Sequence, residues 1–168
     1  KVAINTYALQ ENPNIIDKSA KLFGSQSVAV SIEAKRIPGD WECYSDCGRI
    51  PSGKSVQKWA KELEQRGAGE ILLQSVDKDG TKHGFDLELA NEIVNLVNIP
   101  VTVSSGAGSL KDIKLLFDEV RPSGIAISSV LHSGELTNEE NTCENSASPH
   151  INNNTTVSHI VLGLHSPG

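Results

Sequence analysis

The chain has 168 residues, 38% of them hydrophobic and 21% charged, which suits one domain with a buried core and excludes collagen, coiled-coil and membrane compositions. Its net charge of −6 argues against the clustered basic face that nucleic acids require, while leaving room for local small-anion sites. No apolar run approaches the roughly 20 residues needed to span a bilayer. Cys43, Cys47 and Cys143 form no CxxC pair and lack matching His spacing. Free thiols in a reducing cytoplasm are therefore expected rather than a zinc site, and neither a metal nor a cofactor is called upon.

In chain order, the β-branched runs VAINT (2–6), SVAVSIE (27–33), EILLQ (70–74), PVTVSS (100–105) and GIAIS (124–128) predict strands. Helical periodicity lies between them, near 13–23, 54–66, 86–97 and 110–119. The apolar runs are continuous rather than alternating, the habit of parallel strands covered by helices. Gly24 and Gly67 fall just past helix ends, and Pro100 opens a strand. Residues 34–53 are too many for an ordinary strand-to-helix loop and suggest a short hairpin around Trp41 to Tyr44. The chain opens at Lys1 directly on an apolar run and holds no Met, so it reads as cut from a longer protein. Two regions are expected, an α/β unit over 1–132 and a low-complexity polar tail over 133–168 that reads as disordered. Formal N-x-T sites at Asn153 and Asn154 carry no meaning in a cytoplasmic protein.

Parallel α/β folds place ligands at the carboxyl ends of strands. Those ends are Asn5 and Thr6, Glu33 with Lys35 and Arg36, Gln74 and Ser75 leading to Asp77 and Asp79-Gly80-Thr81, the run Ser104 to Gly108, and Ser128-Ser129. SSGAG before a helix beginning at Ser109 has the form of an anion site, because glycine admits close approach and the helix end offers N–H groups. Ser128-Ser129 after the next strand strengthens that reading. Asp79 and Glu33 are the candidate acid–base carboxylates; a plain Asp-Gly turn and a surface ion pair with Lys35 or Arg36 are the simpler roles for them. DKDGTKHG lacks the spacing of a calcium loop. His83 and His132 have no carboxylate at ligand spacing and read as solvated or satisfied imidazoles.

The segments KVAINT (1–6), GSQSVAVSIEAKR (24–36), RGAGEILLQSVDKDGTKHGFDLEL (66–89), IPVTVSSGAGSL (99–110) and GIAISSVLH (124–132) resemble the cyclase subunit family of imidazole glycerol phosphate synthase, a lyase of histidine biosynthesis. The resemblance implies a partial TIM-type (β/α)₈ barrel containing strands four to eight. It also implies a heterodimer in which a glutaminase partner supplies ammonia. The family's substrate is a bisphosphorylated ribulosyl aminoimidazole-carboxamide, and its products are imidazole glycerol phosphate and aminoimidazole carboxamide ribotide.

By the same resemblance Asp79 aligns with one of two catalytic aspartates, the other lying on a first strand that is not in this chain. Gly80, Thr81, Gly106 and Ser129 align with one phosphate cradle, and Asn5 and Thr6 with part of the opposite one. Lys1 and Glu70 match a charged gate where ammonia enters. Three positions depart from the family pattern: Glu33 stands for Asp in IDAKR, Gln74 for a Thr or small polar residue, and Ser105 for the first glycine of SGGAG. These departures keep open a divergent relative acting in surface-polysaccharide modification. The barrel aldose–ketose isomerase of the same pathway shares the DGT and glycine-rich loops and stays open too. So does a phosphate-binding half-barrel that catalyses little alone and associates through its open sheet edges.

Overall fold

The structure, a computed structural model, describes residues 1–127. Ser128, Ser129, His132 and the polar tail lie outside the described residues, and so do the expectations attached to them.

The predicted alternation is present. The strands are β1 (Val2–Ile4), β2 (Val28–Ile37), β3 (Asp40–Ser45), β4 (Ile50–Ser55), β5 (Glu70–Ser75), β6 (Val101–Ser104) and β7 (Gly124–Ala126). The helices are α1 (Thr6–Gln10), α2 (Asn14–Phe23), α3 (Val56–Gln65), α4 (Leu87–Leu96) and α5 (Leu110–Glu119). Gly24, at φ 81°, stops α2 as its backbone N–H closes on Ala20 O, and Gly67, at φ 90°, follows α3. Asp86 starts α4 by accepting a 3.1 Å bond from the Leu89 N–H.

β1, β2, β5, β6 and β7 lie side by side in parallel, with α2 to α5 in the crossovers: the α/β, partial-barrel arrangement expected. One face of the strands presents Val28, Val30, Ile32, Ile71, Leu73, Val101 and Val103, all buried with Trp59, Leu63, Leu89, Ile93 and Leu116 of the helices. Burying each such side chain contributes roughly 1.5–3 kcal/mol, so this layer holds the sheet. Alternation sends the intervening residues to the other, inner face. These are Ala29, Ser31 and Glu33 of β2, Glu70, Leu72 and Gln74 of β5, and Thr102 and Ser104 of β6. They are mostly small or polar, unlike the bulky branched layers that usually fill a barrel.

Two local departures from the sequence reading have simple causes. VAINT stops as a strand at Ile4, because Asn5 becomes the residue before α1 and its carbonyl accepts from the N–H groups of Ala8 and Leu9. Thr6 therefore lies in a helix turn too short to show periodicity. The expected hairpin at Trp41 to Tyr44 is larger and displaced. β2 continues past Glu33 to Ile37, turns at Pro38-Gly39 with Gly39 at φ 81°, and returns as β3, which pairs with β4. Trp41 is thus a strand residue, buried rather than in a turn.

Candidate functional site at the carboxyl ends of the strands

Register fixes the first tier of the site. Glu33 pairs with Gln74, Gln74 with Ser104 and Ser104 with Ala126, so these residues form one row across the inner face at its carboxyl end. Glu33 is only 7% exposed. Its Oε1 accepts from Asn5 Nδ2 at 2.5 Å and its Oε2 from the Gly48 N–H at 2.7 Å. A surface ion pair is not what holds Glu33: Lys35 Nζ lies 5.1 Å from the Tyr44 ring centroid, and Arg36 bonds Glu88 at 2.6 Å. The two donors hold the Glu33 carboxyl group in a fixed position. Among the described residues, Asn5 Oδ1 is buried without a hydrogen-bond partner, which leaves an acceptor on the same amide for a ligand.

The donor from Gly48 belongs to the turn between β3 and β4. Asp46, Cys47 and Gly48 have successive φ values of 53°, 56° and 75°, curling the turn back over the strand ends. The Asp46 N–H reaches Thr6 Oγ1 at 3.4 Å, so the turn touches Thr6 directly, and Glu33 links it to Asn5. Arg36 secures the other side of this hairpin. Its guanidinium stacks 4.4 Å from the Trp41 ring centroid and its backbone N–H donates to Asp77 Oδ2 at 2.7 Å. The hydrogen bond to Glu88, aided by nearby Asp86 and Asp77, raises the Arg36 pKa above its ordinary value.

Asp79 does not project from a strand end as expected. A 3-10 turn over Val76–Lys78 intervenes, and Asp79 follows it as an exposed residue. Its Oδ1 accepts from Ser105 Oγ at 3.3 Å, which brings the DGT loop and the glycine-rich loop together. Ser105 holds φ 76°, a conformation glycine adopts more cheaply. The next residue, Gly106, has φ 102°, and a Cβ there would stand 2.3 Å from Gly84 O. The two loops pack backbone to backbone, with the Gly84 N–H donating to Gly106 O at 2.8 Å. Gly80, at φ 69°, has open space beside it, and Thr81 Oγ1 donates to Lys78 O at 2.9 Å.

The amino end of α5 is partly occupied by its own chain. Asp112 Oδ2 accepts from the Gly108 N–H at 3.1 Å and from Ser109 Oγ at 2.9 Å. The Gly108 N–H and the Ser109 hydroxyl are therefore already engaged. His83 is exposed, in keeping with a solvated imidazole, and its backbone N–H donates to Thr81 Oγ1 at 3.3 Å.

At the opposite end of the same face Lys1 Nζ donates to Glu70 Oε2, while Glu70 Oε1 accepts from Thr102 Oγ1 at 2.8 Å. The two residues matched to a gate are therefore in contact, and Thr102 joins them. Neither Thr102 nor Gly48 was among the expected site residues. A threonine in a strand looks like an ordinary β-former, and a donor supplied by the Gly48 backbone leaves no side-chain signal.

The profile of the family described as "Histidine biosynthesis protein" matches residues 1–137. The chain is 46% identical over 143 residues to the imidazole glycerol phosphate synthase subunit HisF of Prochlorococcus marinus strain AS9601, covering 83% of this chain and 56% of that protein. It is 43% identical over 134 residues to the subunit of the same name from Saccharolobus solfataricus, covering 80% of this chain and 53% of the relative. The chain thus spans about half the length of the curated relatives it matches. With the parallel strands, the glycine-bearing loops and the two polar strand ends already in place, the match over residues 1–137 shows that the chain belongs to the histidine biosynthesis protein family.

Proposed function

We propose that this chain supplies strands four to eight of the cyclase subunit of imidazole glycerol phosphate synthase, a lyase that takes ammonia from a glutaminase partner. Ammonia enters at Lys1 and Glu70, passes along the small and polar inner face, and meets a bisphosphorylated ribulosyl aminoimidazole-carboxamide at the carboxyl ends of the strands. The observation that most supports this reading is the pairing of two polar ends on one face: buried Glu33 in the carboxyl row and the Lys1–Glu70 contact at the amino ends. The similarity to imidazole glycerol phosphate synthase subunits supports it further.

Addition of ammonia to a ketose carbonyl needs a proton delivered to oxygen, which leaves as water, and protons removed from nitrogen. Closure of the ring then bonds the new nitrogen to the formimino carbon and breaks that carbon's bond to the ribotide amine, which departs as it takes up a proton. Carboxylates are suited to both. Asp79 is assigned as an acid–base group, with Ser105 orienting it. Glu33 is assigned as the second carboxylate in this chain, fixed by Asn5 and Gly48. Gly80, Thr81, Ser105 and Gly106, with Ser128 and Ser129, are assigned to one phosphate. Asn5 and Thr6 are assigned to the other, and Gln74 faces the substrate between them.

The test is product formation by the full-length protein supplied with an ammonium salt and the bisphosphorylated substrate. Imidazole glycerol phosphate should form only when a nitrogen source is present. Turnover of the formimino precursor with no nitrogen source would instead identify an aldose–ketose isomerase.

A further inference from the structure

The inner face holds one buried side chain that the proposed chemistry leaves without a task. Thr102, in the middle of β6, is 3% exposed, and its hydroxyl donates to Glu70 Oε1 at 2.8 Å. The other oxygen of that carboxylate accepts from Lys1 Nζ. Glu70 is therefore shared between two unlike donors. Lys1 has a long, flexible side chain that is 45% exposed. Thr102 is β-branched and stiff at χ1, and β6 is paired with β5 on one side and β7 on the other.

Room for the hydroxyl comes from a neighbouring strand. Gly124 of β7 is the register partner of Thr102, and a Cβ built on it would stand 2.8 Å from Thr102 Oγ1. Real Cβ atoms do not sit so close, so an alanine there would push the hydroxyl off its line to Glu70. Two positions on adjacent strands thus cooperate in one contact. Strand formation alone explains neither the direction of the hydroxyl nor the missing side chain opposite it.

We propose that Thr102, accommodated by Gly124, is a positioning residue of the ammonia entrance: it holds the Glu70 carboxylate still so that Lys1 opens and closes against a fixed partner. This rests on the proposed passage of ammonia past Lys1 and Glu70. Without the hydroxyl the carboxylate would lose its strand-borne donor, and the entrance would lose its defined closed position.

Thr102→Val, Thr102→Ser and Gly124→Ala in the full-length protein, assembled with its glutaminase partner, test the proposal through two readouts. A carbon-13 NMR titration of the Glu70 carboxyl needs no turnover. Thr102→Val should raise its midpoint by about one pH unit, because the charged form loses a donor, and Thr102→Ser should restore it. The ratio of glutamine-supported to ammonium-supported turnover should fall about tenfold in Thr102→Val and Gly124→Ala and recover in Thr102→Ser. An unmoved titration overturns the contact, and a moved titration with an unmoved ratio overturns its role at the entrance. If the unsubstituted protein makes no product from either nitrogen source, the proposed reaction is wrong, whereas the titration still decides whether Thr102 holds Glu70.

Discussion

The two ends of the inner face are built from different kinds of structure. At the carboxyl ends the polar groups depend on loops. Glu33 takes a donor from the β3–β4 turn, and Asp79 takes one from the glycine-rich loop. At the amino ends Glu70 and Thr102 sit on the regular strands β5 and β6, and their contact runs from strand to strand. Loops can reshape around a reacting molecule, while strands in register cannot. The contrast suits the proposed roles: loops at the end where bonds are made, and at the entrance a strand-borne carboxylate that stays fixed while Lys1 moves.

Substitutions at the carboxyl end should break this arrangement most severely. Asp79→Asn removes the proposed proton-transfer group while keeping its size and its contact with Ser105. Its kcat is expected to fall by about 10²- to 10³-fold with little change in KM; steady-state kinetics would show an equal rate if Asp79 belonged only to a turn. Gly106→Ala should come next. A methyl group 2.3 Å from Gly84 O, on a backbone at φ 102°, forces the two loops apart. A loss of about 2–4 kcal/mol is expected in urea unfolding, combining strain with the clash.

Glu33→Gln should cost about 1–3 kcal/mol. One end of the amide becomes a donor, which either faces the Gly48 N–H, donor against donor, or requires the Asn5 amide to turn over and present Oδ1 in place of Nδ2. If urea unfolding is unchanged, the two hydrogen bonds do not support the hairpin turn.

The smallest expected effect lies in the hairpin itself and separates its buried side from its exposed one. Burial pushes the Cys43 thiol from 9.0 up to about 12, whereas Cys47 is exposed in the turn. The folded state therefore keeps the Cys43 proton where the unfolded chain releases it. Stability should decline as pH rises above 9.0 and continue to decline toward about 12, and Cys43→Ala should remove that part of the slope. Thiol labelling of the native protein should modify Cys47 and spare Cys43.

Much of this organisation is legible in the sequence because it follows from repeating constraints. Continuous runs such as EILLQ announce parallel strands buried beneath helices, and Gly24 and Gly67 mark helix ends through their backbone freedom. Polar residues after successive strands point to the site, and the family resemblance alone pairs Lys1 with Glu70. What escapes a sequence reading depends on distant parts of the chain. The length of the hairpin rests on β2 pairing with β3 beyond Glu33, although Pro38-Gly39 is a readable turn signal. The capture of Gly108 and Ser109 by Asp112 is foreshadowed by their spacing, but the same residues also suit an anion site. The direction of the Thr102 hydroxyl follows from a glycine on another strand, which no local pattern encodes.

The most direct measurement compares Asp79→Asn and Glu70→Gln in the full-length protein, with turnover followed first with glutamine and then with a saturating ammonium salt. Asp79→Asn should lose turnover with both nitrogen sources, and Glu70→Gln should lose far more with glutamine than with ammonium. Equal losses from the two sources in both variants would contradict the separation of an entrance from a reaction end.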